Sequence, residues 1–344
     1  MSSVTTLPVK KIQNLVTLPW RARPTVGATP VQVIHTENKW RLLRYAARPQ
    51  GPAYQTPILM VPSLINRHYV LDLMPGKSFV EFLLARGHDV FIIDWGTPGP
   101  EDRYLSFERV VATYMGRAIR KCAAFSAAGK VHLMGYCLGA TFTSIYAALD
   151  DSRLASMVAL APPVAFDDPG MLSQWMRIPT LDLDAIIDAK GNMPWQWMQA
   201  AFHMLRPTLT LTKMIGVLDK AEDDTFLEGF RAIETWGNDN VSFPGNCFRD
   251  YIQKLYQNND FAEGRLTLMG RPARLEQITC PLLSVTFKHD NIVPQESSLP
   301  LVAKASSADK AQWDLPGGHV GAVIGRKAAK ELWPGLSQWW AERD

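Results

Sequence analysis

One cysteine lies between two glycines in Val131-His132-Leu133-Met134-Gly135-Tyr136-Cys137-Leu138-Gly139-Ala140, the spacing of a nucleophile held on a sharp strand-to-helix turn. Such a turn packs backbone so tightly that a Cβ two residues before or after the nucleophile would collide. Gly135 and Gly139 meet that demand. Cys137 would then stand at the N-terminus of a helix, where the dipole favours thiolate over thiol. The backbone N–H of Leu138 would be free to hold an oxyanion. A buried core cysteine between two incidental glycines would read the same way, so the downstream partners decide.

A nucleophile elbow of the α/β-hydrolase kind is followed in chain order by Asp or Glu and then His, each just past the end of a late strand. Pro281-Leu282-Leu283-Ser284-Val285-Thr286-Phe287 reads as a buried strand, and Asp290 follows it in the loop Lys288-His289-Asp290-Asn291. Ala311-Gln312-Trp313-Asp314-Leu315 reads as the last strand, leading through Pro316-Gly317-Gly318 to His319. Cys137, Asp290 and His319 thus have the order and setting of a triad, against the plainer readings of Asp290 as a turn or cap residue and His319 as a loop histidine. The second oxyanion donor belongs in the loop after the third strand, Pro62-Ser63-Leu64-Ile65-Asn66-Arg67, with the N–H of Leu64 first and Ile65 next. His289 should face elsewhere, as the immediate neighbour of the acid. His68 could line the site, while His35, His88, His132 and His203 read as structural. The seven histidines and four cysteines show no metal-ligand spacing.

These groups need a scaffold, and the flanking pattern supplies one. Strands are expected at 31–35, 39–44, 58–61, 90–94, 130–135 and 156–160, with helices at 69–86, 105–128 and 138–149 and a short one near 9–16. Strand–helix alternation implies βαβ units and a mostly parallel sheet with helices on both faces, an α/β-hydrolase fold. Alternation stops at about Val164 and resumes at Pro281. The interval is rich in Met and Trp and sits where such folds carry a lid. The expected organisation is an N-terminal arm over 1–30, a core of 31–163 and 281–344, and a helical cap over 164–280.

Composition narrows the class. The 344 residues are 47% hydrophobic and 20% charged with a net charge of +3, an ordinary globular balance with no basic patch for nucleic acid. Four scattered cysteines suit a reducing compartment rather than a disulfide framework. No signal-peptide pattern opens the chain, and no eighteen apolar residues run together, so no membrane span is expected.

The chain resembles the polyhydroxyalkanoate synthases over roughly residues 28–341. The resemblance rests on several separate stretches. These are 61–67; Asp89-Val90-Phe91-Ile92-Ile93-Asp94-Trp95-Gly96; the elbow; Phe243-Pro244-Gly245 with Phe248-Arg249 and Leu255-Tyr256; Asp290 with Ile292-Val293-Pro294; and 316–319 leading to Gly325-Arg326-Lys327-Ala328. The short N-terminus resembles that of the catalytic subunit of the two-subunit, class III enzymes.

The resemblance implies an acyltransferase that polymerises (R)-3-hydroxyacyl-CoA into polyester through an acyl-cysteine. Cys137 would be nucleophile, Asp290 acid and His319 base, with no cofactor, coenzyme A thioester being the substrate. It also implies a second small subunit, with a homodimer compatible, and a cytoplasmic location at the granule surface. Two departures stand out: Ala140 where the family usually has a second glycine, and Asn291 where it commonly has histidine. The rival readings are a cysteine hydrolase of the same fold (a thioesterase or polyester depolymerase) and a non-catalytic scaffold.

Overall fold

A computed structural model describes residues 9–205 and 209–344, with no side-chain detail at 209 and 210. The first eight residues of the expected arm and 206–208 of the expected cap lie outside the described residues.

Ten strands are present among the described residues. They are β1 (Val31–Glu37), β2 (Trp40–Tyr45), β3 (Ile58–Val61), β4 (Val90–Asp94), β5 (Val131–Tyr136), β6 (Leu154–Leu160), β7 (Thr267–Leu268), β8 (Arg271–Pro272), β9 (Leu282–Phe287) and β10 (Lys310–Leu315). Eight form one sheet in the order β1-β2-β4-β3-β5-β6-β9-β10, while β7 and β8 make a separate hairpin. β1 and β2 are antiparallel to their neighbours and every other pairing in the large sheet is parallel. β3, β4, β5 and β9 are buried at every position, as continuous apolar runs covered on both faces must be. The antiparallel strand β2 is tied to β4 by two ion pairs, Arg44 to Asp89 in a two-pronged contact of 2.9 Å each and Arg41 to Asp94.

Two apolar cores lie on opposite faces of the sheet. One holds Phe107, Phe142 and Ile145 beneath the elbow helix Leu138–Leu149, the other Phe79, Trp333 and Trp340. Because the parallel strands point the same way, the loops after β5, β9 and β10 gather at one edge. That edge is where α/β sheets bind ligands.

Two long helices expected from the sequence are broken. The 69–86 segment is a short 3₁₀ turn, His68–Asp72, followed by a helix only from Phe79 to Arg86. Pro75 and Gly76 intervene, with Gly76 at φ +73, and Ser78 caps the new start by accepting from the Glu81 N–H at 3.0 Å. The 105–128 segment is helical only as far as Ala123 and contains a π-helical stretch, Arg109–Tyr114.

The inserted segment is mostly helical: Met171–Met176, Leu183–Lys190, Trp195–Met204, Leu209–Asp219, Asp224–Gly237 and Gly245–Tyr251. Its last stretch does not lie over the site. Leu275–Gln277 packs against the elbow helix and Arg271 donates to the Leu149 carbonyl at the end of that helix, so the chain returns to the body of the fold well before β9. The N-terminal helix Val9–Thr17 leans on the cap, Asn14 donating to the Ala221 carbonyl at 2.8 Å and to Asp224 at 3.0 Å. No helix of the described residues is long and apolar enough to cross a membrane.

Candidate active site

The elbow is built by crowding. β5 ends at Tyr136, and the elbow helix begins at Leu138, so the whole reversal falls on Cys137. Its φ of +56 and ψ of −126 are costly for an L-residue, on the order of 1–3 kcal/mol. That cost is tolerated because the surroundings leave no other path. A Cβ on Gly139 would sit 2.0 Å from the Val61 carbonyl oxygen, and one on Gly135 would sit 2.4 Å from the Ala140 Cα. Helix, elbow strand and β3 therefore touch through backbone, and only glycine fits. Ala140 is fully buried, its single methyl accommodated where the family usually has glycine.

Asp290 lies in the loop after β9, its carboxylate sealed from solvent. One oxygen accepts from the N–H groups of Ile292 and Val293 at 2.9 Å each. The other meets His319 Nδ1 at 2.6 Å. An ionised carboxylate only accepts, so Nδ1 donates and Nε2 is left for another partner. Cys137, which lines the same cavity wall and acts electrostatically on the imidazole, is the group within its reach. Burial pushes the proton affinity of His319 down, but the opposing charges of Cys137 and Asp290 outweigh it and the net shift is upward. A proton leaving sulfur therefore has a strong acceptor at hand.

A cavity of about 240 Å³ opens above this line of groups, and both Cys137 and His319 contribute to its wall. The cap supplies Leu172, Met176, Met193, Met198 and Phe202, an apolar and pliable roof. Tyr251 and Tyr256 form the far wall, hydrogen-bonded to one another, and burial holds both phenols protonated. Tyr256 comes from a π-helical stretch, Ile252–Gln257, a geometry frequent at functional sites.

At the oxyanion position, Leu138 is the first residue of the helix, where an N–H has no intrahelical acceptor. The loop that should carry the second donor divides its side chains between two pockets, which does not bear on the direction of the Leu64 N–H. The Leu64 side chain is buried in a small neighbouring pocket with Trp40 and Trp95, whereas Ser63 and Ile65 front the main cavity. The Ile65 side chain therefore faces the main cavity and the Leu64 side chain faces the small pocket.

The histidines divide in part as expected. His289 is exposed. His88 pairs with Ser337 and His132 with Ser156, each at 2.9 Å inside the body of the fold. His68, for which the structural reading is also the safer one, sits 3.4 Å from Asp94 and not in the cavity wall. His203, read as structural, is exposed and borders the cavity through the cap. Tyr251 and Ser63 were not singled out in the sequence, because one buried phenol or hydroxyl carries no spacing signal. No cluster of three His, Cys, Asp or Glu that could hold a metal is found among the described residues.

This arrangement can take a proton from a thiol, attack an acyl carbonyl and hold the product as a thioester. Known proteins agree with the fold it sits on. Residues 56–322 match the family described as alpha/beta hydrolase fold, and residues 21–83 match the N-terminus of poly-beta-hydroxybutyrate polymerase. The monoglyceride lipase of Saccharomyces cerevisiae superposes with a TM-score of 0.56 at 13% identity, covering 94% of this chain and 98% of that one, a likeness of fold alone. The poly(3-hydroxyalkanoate) polymerase subunit PhaC of Haloferax mediterranei is 33% identical over 93% of this chain, which spans 65% of that protein's length. The subunit of the same name from Allochromatium vinosum is 35% identical over 92% of this chain and 90% of its own. The chain belongs to the poly(3-hydroxyalkanoate) polymerase family, on an α/β-hydrolase fold.

Proposed function

We propose that the protein is the catalytic subunit of a polyhydroxyalkanoate synthase, joining (R)-3-hydroxyacyl groups from coenzyme A thioesters into polyester. The observation that carries this reading is the Asp290–His319–Cys137 line on the floor of an apolar, cap-covered cavity. His319 Nε2 takes the Cys137 proton, and the sulfur attacks the thioester carbonyl. The Leu138 N–H and a donor from the 62–65 loop hold the tetrahedral oxyanion. The carbon–sulfur bond to coenzyme A breaks, and the departing thiolate takes the proton back from His319. The 3-hydroxyl of a second acyl unit then attacks the acyl-cysteine, losing its proton to His319, or to Asp290 in an alternative route. The carbon–sulfur bond to Cys137 breaks as the ester forms, and the released thiolate regains that proton. Cysteine suits this sequence because exchange between thioesters is nearly balanced in energy, leaving the acyl-enzyme reactive toward an alcohol. No cofactor takes part.

The test is incubation of the purified chain with 3-hydroxybutyryl-CoA, following coenzyme A release and turbidity together. Coenzyme A with insoluble polymer is the expected result. Coenzyme A with free 3-hydroxy acid would make the protein a thioesterase or depolymerase of the same fold. Neither product, with or without an added small subunit, would leave a scaffold.

The reading includes a partner and a place. A growing chain must pass the cap, and a second subunit can favour an open cap only by binding that form better. The cap helix Leu209–Asp219 exposes Leu211, Met214, Ile215 and Leu218, one stripe at helical spacing that supports such docking. The isolated chain is expected to show a long lag, shortened by co-expression with a neighbouring small-subunit gene. Full-rate polymerisation without lag would make it self-sufficient. Accumulation of insoluble product at the cavity mouth would bring the enzyme to a cytoplasmic granule surface, checked by its sedimentation with granules.

A further inference from the structure

Tyr136, the residue before the nucleophile, touches the same histidine from a third side. Its ring stacks on the His319 imidazole with centroids 5.3 Å apart and planes 26° apart. Its hydroxyl donates to the His319 backbone carbonyl at 3.1 Å. Burial raises the proton affinity of this phenol far above its usual range, so it stays a neutral donor. The His319 loop needs such a hold. It follows Gly317, which sits at φ +120, and Gly318, two residues that lend no side chain to fix the imidazole.

We propose that Tyr136 is a positioning residue for His319, its ring backing the imidazole and its hydroxyl anchoring the loop that carries it. The inference rests on the Cys137–His319 pairing of the proposed function but not on the identity of the acyl acceptor. An aromatic face within about 6 Å of an imidazolium favours the charged ring. Tyr136 thereby favours the state in which the proton has moved from Cys137 to His319. The titratable groups around that imidazole are Cys137 from the elbow, Asp290 from the loop after β9, Tyr136 from β5, and Tyr251 and Tyr256 across the cavity. Among them only Tyr136 offers the imidazole a stacked face.

Alkylation of Cys137 by iodoacetamide, followed against pH with peptide mapping, reads this without any polymer assay. The other three cysteines are buried and serve as internal controls. Tyr136→Met should raise the alkylation midpoint by about half a pH unit and slow alkylation below the midpoint about threefold. Tyr136→Phe keeps the stack and should leave the midpoint in place. Having lost the hydroxyl anchor, it should speed amide exchange over residues 318–320. A fluorinated phenylalanine at position 136 keeps the shape while weakening the ring's negative face, so it must raise the midpoint even if Tyr136→Met misfolds. A parental midpoint in both the Met and fluorinated variants, or an equal shift in Tyr136→Phe, overturns the proposal. Loss of polymerisation with these alkylation shifts intact would instead count against the synthase reading.

Discussion

Cys137→Ser is expected to lose polymerisation by three orders of magnitude or more, the scale on which loss of a triad member acts (~10³–10⁶-fold). The elbow itself would survive, since serine fits the same φ of +56 and the glycines on either side are untouched. What disappears is a thiol, which gives up its proton to a base far more readily than a hydroxyl does. The acyl-enzyme changes too. An acyl-serine is an ordinary ester, so transfer to the 3-hydroxyl of the next unit gains nothing, whereas a thioester drives it. The measurement is the initial rate of coenzyme A release, with melting temperature as the folding control. A variant that keeps more than about a tenth of the parental rate would remove Cys137 from the mechanism.

Asp290→Asn is the second large effect, and its form is as informative as its size. The carboxylate is sealed from solvent and holds three donors: two backbone N–H groups and His319 Nδ1. An amide can still accept from some of them, but it carries no charge. The sign follows directly. Asp290 is one of the groups that raise the proton affinity of His319, so its neutralisation lowers that affinity. Proton transfer from Cys137 then requires higher pH, and the acid limb of the alkylation profile moves upward. A loss of about 10²–10⁴ in turnover is expected. If Asp290 also receives the proton of the incoming hydroxyl, elongation suffers more than acylation. A burst of coenzyme A release would then leave radiolabel trapped on Cys137 with little polymer. Parallel loss of both steps would confine Asp290 to orienting and charging His319.

The triad was legible because each of its members sits at a strand end with a local signature. Gly135 and Gly139 announce the elbow through a steric demand that falls on two fixed positions. Asp290 follows a short apolar run whose length admits only a buried strand, and His319 follows a short edge strand through a pair of glycines. The interior strands lay within a residue or two of their expected ends for the same reason: strands covered on both faces tolerate little polarity. The two broken helices show the limit. The 69–86 and 105–128 segments each contain enough apolar residues for one long helix. The first is interrupted where Gly76 takes positive φ, and the second is helical only as far as Ala123 and passes through a π-helical stretch; periodicity does not register a break that backbone geometry enforces.

The sequence alone determined the fold class, the placement of Cys137, Asp290 and His319 just past three strand ends, and the position of a long helical insertion, because these depend on residue type at fixed spacing along the chain. The tertiary structure alone decided what surrounds them. It seated Tyr136 against His319, set Tyr251 and Tyr256 across the cavity, and sent the Leu64 side chain to the small pocket and that of Ile65 to the main cavity. It also returned residues 271–277 to the body of the fold rather than to the cap. The physical reason is common to all of these. A contact between residues distant in the chain depends on which side chain fills which space at close packing, and that is fixed only when the sheet, helices and cap are assembled together.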